Sequence, residues 1–198
     1  MDAAATREAM VRFESSSGLR LPDTARVLDA VRIRTLQPRE SAFREDERCP
    51  RVFVVRSGVL KQFYTTEDGC EWIKSFSGAG DLFACLDALA GGRTAFASVA
   101  IETSIVESVD WRVVEDLADK DLVWQKAVRL GFQFLAQLKV RRERDLLTLT
   151  AEELYRKFAA ESPELARRVP QKDLAAFLGV TPVGLNRIIR RHPQTRRR

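Results

Sequence analysis

Amide and guanidinium groups near the C-terminal end of the sequence have the types and spacing needed to read a nucleic acid. Asn186 and Arg187 are adjacent in a stretch of helical periodicity, and Val183 stands one turn before them. Amide and guanidinium side chains can pair with base edges in the major groove of duplex DNA, and an apolar side chain can touch a thymine methyl group. We therefore expect Asn186, Arg187 and Val183 to read bases.

A second set of side chains in the same region suits the phosphate backbone of DNA. Lys172, Thr181 and Arg190 carry an ammonium, a hydroxyl and a guanidinium group. Contacts of this kind fix the orientation of a protein on the duplex but carry no sequence information directly. We expect these three residues to anchor double-stranded DNA while the first three read it.

The elements that must position these residues are two helices joined by a tight turn, predicted over residues 171–190. Gly179 stands where the turn needs a positive φ, Thr181 can cap the second helix, and Pro182 suits its first position. The shared apolar cluster comprises Leu174, Leu178, Val180, Leu185 and Ile188, with the small Ala175 at the crossing. This pattern is typical of a DNA-binding helix-turn-helix. The alternative is a helical hairpin that contacts another protein.

Positive charge is concentrated in the same third of the chain. Of 33 Lys and Arg residues, 14 lie from Arg141 onward with 7 of the 28 Asp and Glu residues, so this segment carries +7 and the rest −2. A basic module on a near-neutral body is typical of a protein that binds a polyanion. The alternative is a solvated arginine-rich tail, an interpretation that suits residues 196–198.

Upstream, the sequence predicts helices followed by a turn over the first 40 residues, and then a series of short strands over residues 41–108. Turn residues separate the runs, including an Asp-Gly pair at Asp68-Gly69 that indicates a hairpin. The predicted strands are Val52–Val55, Val59–Tyr64, Trp72–Phe76, Ala95–Ala100 and Thr103–Val109. The spacing indicates a small antiparallel barrel or roll, and therefore an α+β fold.

A long helix is predicted between the roll and the C-terminal helices, with Asp119 or Asp121 as its cap. Its apolar residues recur at spacings of three and four: Val128, Leu130, Phe134, Leu135 and Leu138. Pairing with a second copy of the chain would bury the apolar surface that one roll leaves uncovered. A core helix packed on its own roll is the alternative. The expected domains are residues 1–118, 119–148 and 149–198.

Composition excludes several classes of protein. The chain has 198 residues with 45% apolar and 31% charged, which is typical of a globular protein. Cys49, Cys70 and Cys85 are widely spaced and odd in number, which does not support a disulfide framework or a zinc site. No run approaches the roughly 20 apolar residues of a membrane span, and the N-terminus lacks a signal peptide, so we expect a cytoplasmic protein.

Enzymatic activity has no support in the sequence. His192 is the only histidine, so the body of the chain offers no Ser-His or Cys-His pair. No phosphate-binding Walker loop and no glycine-rich dinucleotide motif follows a predicted strand. We expect neither a cofactor nor a metal ion.

The chain resembles the cyclic-AMP receptor/FNR family of bacterial transcription regulators over about residues 10–191. The motifs that carry the resemblance are the helix-turn-helix and, within residues 51–83, Ser57-Gly58, Asp68-Gly69 and Gly78-x-Gly80-Asp81. The resemblance implies a cyclic-nucleotide-binding-like β-roll, a long dimerisation helix and a winged-type helix-turn-helix. It also implies a homodimer that places one recognition helix in each half-site, with RNA polymerase as a candidate partner. The short sequence after Arg191 indicates a reduced or missing wing.

The resemblance also bears on which bases are read. Arg187 matches the family's base-contacting arginine, whereas Val183 stands where many relatives carry glutamate. Valine cannot accept a hydrogen bond from cytosine, so we expect a half-site that differs from those of the best-known relatives.

Only part of the family's nucleotide pocket matches this sequence. Arg93 and Thr94 match the arginine and hydroxyl residues that hold the cyclic phosphate in relatives, although Arg93 also suits a solvated turn. Ala84 and Cys85 replace the family's Gly-Glu pair. A site without its carboxylate loses the acceptor for the ribose hydroxyl, so we expect an effector other than a cyclic nucleotide, or none.

Known metal-dependent sensors of the family do not match the sequence either. Three distant cysteines exclude a four-cysteine iron–sulfur cluster, and His192, beyond the recognition helix, is poorly placed for haem. Cys85 is a candidate redox thiol, with a buried core cysteine as the alternative.

Two further functions remain open from the residues. The chain could be a ligand-binding signalling module that acts through protein–protein contacts, or an architectural protein that binds DNA without sequence choice.

Overall fold

The structure, a computed structural model, describes residues 2–191. Two four-stranded antiparallel sheets face each other as a β-roll, with strand orders β1-β8-β3-β6 and β2-β7-β4-β5. The strands are β1 Arg32–Leu36, β2 Ser41–Phe43, β3 Arg51–Ser57, β4 Leu60–Thr65, β5 Glu71–Ser77, β6 Leu82–Ala84, β7 Ala97–Ala100 and β8 Ser104–Asp110. The predicted α+β fold with a roll is therefore present.

Four phenylalanines fill the space between the sheets. Phe53 and Phe83 are stacked with ring centroids 5.0 Å apart, and Phe43 contacts Phe53 and Phe96 at 5.5 and 5.4 Å. All four side chains are buried. Aromatic side chains of this size contribute much of the apolar burial in a small core, so the roll has a core of its own.

The Asp68-Gly69 hairpin is confirmed. Gly69 has a φ of +80°, and the amide of Thr66 donates to the carbonyl of Cys70 at 3.0 Å. A positive φ is accessible to glycine at little cost, and it lets β4 turn directly into β5.

The prediction of helices followed by a turn over the first 40 residues is only partly right. The helices α1 Ala4–Ser17 and α2 Thr24–Asp29 are present, but Val31 precedes a strand, β1, and does not extend a helical face. In β1 the two arginines Arg32 and Arg34 are exposed, and only Leu36 is buried. One buried residue in five gives little alternation, and the strand forms because β8 pairs with it along its length.

A buried carboxylate attaches α1 to the roll. Glu107 on β8 is fully buried and accepts hydrogen bonds from the amides of Ala5 and Thr6 at 3.1 and 2.7 Å, while Arg56 lies 3.8 Å away. The first amides of a helix have no partners within the helix. Glu107 therefore satisfies them and fixes where α1 begins.

The remaining helices follow the caps that the sequence contains. Asp110 caps the short α4, Asp121 caps the long α5, and Thr150 with Glu153 forms a capping box. The helices are α3 Leu86–Leu89, α4 Trp111–Ala118, α5 Leu122–Thr148, α6 Ala151–Glu161, α7 Pro163–Arg168, α8 Gln171–Phe177 and α9 Pro182–Arg191. Of the two predicted caps for the long helix, Asp121 is the one used. Within residues 2–191, no helix is long and apolar enough to cross a membrane.

Candidate nucleic-acid interface

The predicted helix-turn-helix is formed by α8 and α9. Leu174, Leu178 and Leu185 are buried, Ala175 is fully enclosed at the crossing, and the partly buried Val180 and Ile188 pack against them. The apolar side chains therefore meet as the 3–4 spacing predicts.

The turn between α8 and α9 uses glycine and a hydroxyl cap. Gly179 has a φ of +70°, and a β-carbon there would meet no atom within 4 Å. The amide of Gly184 donates to the Thr181 hydroxyl at 3.1 Å, directly before α9 begins at Pro182. Glycine is thus required at position 179 by backbone conformation and not by crowding.

Four of the six predicted DNA contacts share one exposed face. Val183, Asn186, Arg187 and Arg190 line a single shallow groove on α9, opposite the buried Leu185. The Val183 side chain is 63% exposed, although it is apolar. Among the described residues, Arg187 and Arg190 form no ion pair with an acidic side chain. The groove therefore presents an apolar contact, an amide and two uncommitted cations to whatever approaches α9.

The other two predicted contacts lie outside this groove. Lys172 is exposed on the first turn of α8, and the Thr181 hydroxyl already accepts a hydrogen bond as the cap of α9. A hydroxyl can accept and donate at once, so capping leaves Thr181 a proton to offer. In the sequence, both residues precede the four that line the groove.

An aromatic cluster attaches the helix-turn-helix to the roll. Phe177 of α8 lies 5.3 Å from both Phe76 of β5 and Phe158 of α6, measured between ring centroids. Val59, fully buried directly before β4, belongs to the same apolar cluster as Leu174 and Leu185. The helix-turn-helix and the roll therefore share part of one hydrophobic core.

Ion pairs surround this shared core. Lys61 of β4 lies 3.5 Å from Asp173 of α8, and both side chains are about 15% exposed or less. Arg168 is hydrogen-bonded to Glu102, which lies between β7 and β8. Sequence reasoning missed both pairs, because nothing local indicates that residues this far apart in the chain are in contact.

The C-terminal end of α5 contacts both α8 and α6. Arg142 donates to the carbonyl of Phe177 at 2.7 Å and lies over its ring at 3.9 Å. Asp145 is buried and paired with Lys157 of α6. The hydrogen bond from the Lys157 ammonium holds the pKa of the Asp145 carboxyl below its usual range.

The residues that match the family's nucleotide pocket are engaged with the protein's own loop. Arg93 donates to the carbonyl of Asp46 at 2.6 Å, and the buried Thr94 donates to the carbonyl of Arg44 and accepts from the amide of Glu47. Thr94 is thereby satisfied without a ligand, and Arg93 is directed toward the loop at residues 44–47. The two residues act here as loop anchors.

Cys85 is the third candidate effector residue, and it is buried. It precedes α3, and its sulfur accepts a hydrogen bond from the amide of Ala95 at 3.3 Å. Its surroundings, which include Phe83 and Phe96, are those of a core cysteine. Among residues 2–191, no group of three or more His, Cys, Asp or Glu residues could hold a metal ion. His192 and the short wing sequence lie outside the described residues.

Comparison with known proteins agrees with this architecture. Residues 33–121 match the cyclic nucleotide-binding domain. The fumarate and nitrate reduction regulatory protein of Escherichia coli (strain K12) is 26% identical over 175 residues, which span 81% of this chain and 68% of that protein. Its counterpart in Vibrio cholerae is 25% identical over the same length.

Solved structures show the same fold. FixK2 from Bradyrhizobium japonicum aligns with a TM-score of 0.70 at 24% identity, over 83% of this chain and 85% of that one. The catabolite activator protein of Thermus thermophilus aligns with a TM-score of 0.53 at 20% identity, over 89% and 85% of the two chains. The order of roll, long helix and helix-turn-helix is therefore similar to that of these structures, and residues 33–121 of this chain match the cyclic nucleotide-binding domain.

Proposed function

We propose that the protein is a sequence-specific, DNA-binding transcription regulator that acts as a homodimer. The observation that carries the proposal is the exposed groove on α9, where Val183, Asn186, Arg187 and Arg190 lie side by side on a capped helix. Homology to regulators of fumarate and nitrate reduction supports a role in transcription. Residues 119–148 would then form the dimerisation helix, between a sensor-like domain at 1–118 and a DNA-binding domain at 149–198.

Base reading is assigned to three residues of the groove, and contact with phosphates is assigned to its fourth residue, Arg190, and to two residues outside it. Asn186 and Arg187 would pair with base edges, and Val183 would contact a thymine methyl group. Lys172, Thr181 and Arg190 would contact phosphates; the Thr181 hydroxyl keeps its proton free for this role. Bacterial DNA lies in the cytoplasm, so a regulator of this kind would act there. RNA polymerase is a candidate partner.

The dimer is supported by the apolar residues that α5 leaves uncovered. Phe134 is 60% exposed and Leu138, one turn later on the same face, is 41% exposed. Monomeric proteins seldom expose large apolar side chains next to one another. A second α5 packed on this face would cover both side chains, and the dimer would then carry two copies of α9, one for each half-site.

Cyclic-nucleotide control is not part of the proposal. Arg93 and Thr94 are held by the loop at residues 44–47, and Cys85 replaces the family's glutamate. A bound cyclic nucleotide would have to displace these hydrogen bonds and would still lack an acceptor for its ribose hydroxyl. The protein is therefore expected to bind DNA without added cyclic AMP.

Selection of duplexes from a random pool by the purified protein, without ligand, tests the proposal. We expect recovery of a two-fold symmetric site with half-sites about 10 bp apart. An Arg20→Ala control, altered between α1 and α2 and away from both the groove and α5, should select the same site. No enrichment by either protein would contradict the proposal, whereas binding without sequence preference would favour an architectural protein.

A further inference from the structure

Arg142, near the C-terminal end of α5, makes two contacts with one residue of α8. Its guanidinium donates a hydrogen bond to the carbonyl of Phe177 at 2.7 Å, and its central carbon lies 3.9 Å from the centroid of the Phe177 ring. Phe177 is the last residue of α8, where carbonyl groups have no amide partner within the helix. Arg142 therefore supplies a hydrogen-bond donor that α8 itself lacks.

The planar shape of a guanidinium allows both contacts at once. Its N–H groups lie in the plane of the group, so they can donate at its edge while an aromatic ring lies against its face. Burial lowers the pKa of the Arg142 guanidinium, whereas the nearby Asp145 raises it, and the group stays charged at neutral pH. The carbonyl contact constrains the position of the end of α8, and the ring contact constrains the rotation of α8 about its axis.

The recognition helix α9 is coupled to the residue that Arg142 contacts. Phe177 directly precedes the turn of the helix-turn-helix, and across this turn the amide of Val180 donates to the carbonyl of Ala175 at 3.0 Å. Ala175 and Leu185 of α9 are both fully buried in one apolar cluster. A change in the angle of α8 would therefore carry α9 with it.

The same stretch of α5 also contacts α6. Asp145, one turn after Arg142, is buried and paired with Lys157 of α6. Leu154 of α6 belongs to the apolar cluster that contains the core of the helix-turn-helix. The last turns of α5 therefore contact the C-terminal helices at two points, through Arg142 at α8 and through Asp145 at α6.

We propose that Arg142 is a positioning residue for DNA binding, which holds α8 at one angle to α5 and so determines the spacing between the two half-sites. This role rests on the proposed function, in which α5 pairs with its copy and each α9 enters a major groove. With half-sites about 10 bp apart, a change of one base pair would displace the two copies of α9 by about 3.4 Å and rotate them by about 36° relative to each other. A displacement of that size at Phe177 would break the hydrogen bond from Arg142.

Arg142 is not expected to read bases itself. Its side chain is partly buried against Phe177 and does not line the exposed groove on α9. Loss of Arg142 should therefore change which spacings are bound, but not which bases are preferred in each half-site. The number of phosphate contacts, measured from the dependence of affinity on salt, should also stay the same.

Selection of duplexes from a random pool by Arg142→Met, by Arg142→Lys and by the unmodified chain tests this role. Methionine removes the donor and the charge, whereas lysine keeps both but lacks the planar group. We expect the same half-site sequence in all three selections. Arg142→Met should also accept spacings one base pair longer or shorter, with the preference for the original spacing reduced at least about fivefold, as expected for the loss of one hydrogen bond. Arg142→Lys should recover part of this preference.

Fluorescence anisotropy with defined duplexes of the three spacings, at several salt concentrations, measures the preference directly. Arg20→Met, a highly exposed arginine between α1 and α2, is the matched control and should keep the original spacing. Circular dichroism checks the fold of each variant. If Arg142→Met does not fold, Arg142→Lys serves in its place, and its preference should also fall below that of the unmodified chain.

The outcomes separate the role of Arg142 from the proposed function. An unchanged spacing preference in the Arg142 variants would overturn the role of Arg142 and leave the proposed function intact. An equal loss of affinity at every spacing, with a weaker dependence on salt, would also overturn it, because Arg142 would then contact a phosphate. If the unmodified chain selects no paired half-sites, both the role of Arg142 and the proposed function are refuted.

Discussion

At the scale of single residues, the side chains predicted to read bases and those predicted to contact phosphates differ in position. Arg187 lies within the groove, whereas Lys172 lies outside it on α8. A guanidinium in the major groove can make paired hydrogen bonds with one base, whereas an ammonium at the edge contacts phosphate at any sequence. The two positions should therefore differ in what their loss does to specificity.

Arg187→Ala should weaken binding to the selected site by about 1–3 kcal/mol and relax the preference at one position of each half-site. Lys172→Ala should weaken binding to all duplexes alike and flatten the dependence of affinity on salt by about one ion. Fluorescence anisotropy with matched and single-mismatch duplexes at several salt concentrations measures both effects. Indistinguishable behaviour of the two variants would contradict this division.

Gly179 tests the backbone requirement of the turn. Since a β-carbon there would meet no atom within 4 Å, the cost of Gly179→Ala comes only from its φ of +70°. We expect Gly179→Ala to lower the free energy of unfolding by about 1 kcal/mol, and Gly179→Asn to lower it by less, because asparagine tolerates the left-handed region better. Urea denaturation measures both, and an equal loss in the two variants would point to a steric cause instead.

At the scale of elements, the connection between α5 and α6 depends on one buried carboxylate. Asp145 pairs with Lys157, and its pKa is below the ordinary value. A depressed carboxyl pKa stabilises the fold at pH values above the unfolded pKa, near 4, and this contribution disappears as the pH falls through the lower folded value. The pair therefore stabilises the packing of α6 on α5 at neutral pH and not in strong acid.

Asp145→Asn should lower the melting temperature at pH 7, and the difference from the unmodified protein should shrink steadily below about pH 4. Differential scanning calorimetry across this range measures it. Asp119→Asn, an exposed position at the end of α4, is the control and should change little at any pH. A melting difference for Asp145→Asn that stays constant down to pH 2 would show that the carboxylate acts by packing and not by charge.

An element can be predicted from the sequence when the residues that determine it lie close together in the chain. The helix-turn-helix was predictable, because its glycine, its cap and its apolar spacing lie within twenty residues. Strands β1, β2 and β6 were missed, because they are short and form by pairing with strands distant in the chain.

At the scale of the whole molecule, the exposed Phe134 and Leu138 on α5 predict the oligomeric state. Phe134→Glu places a charge where the proposed partner helix would lie, and in a two-fold dimer the two carboxylates would both be buried. We expect the dissociation constant of the dimer to rise at least about 100-fold, measured by sedimentation equilibrium. Val11→Glu, equally exposed on α1, should leave the dimer intact. A monomeric unmodified protein would refute the dimer outright.

The core shared by the roll and the helix-turn-helix also governs how this protein can change over evolution or in design. Val59 and Phe76 belong to the roll, yet their packing partners include Leu174 and Phe177 of the helix-turn-helix. A chimaera that joined these C-terminal helices to a foreign roll would uncover aromatic surface on both parts and would aggregate or melt early. The proposed DNA specificity can therefore be changed by single substitutions in the exposed α9 groove. Replacement of the whole domain would instead disrupt the shared core.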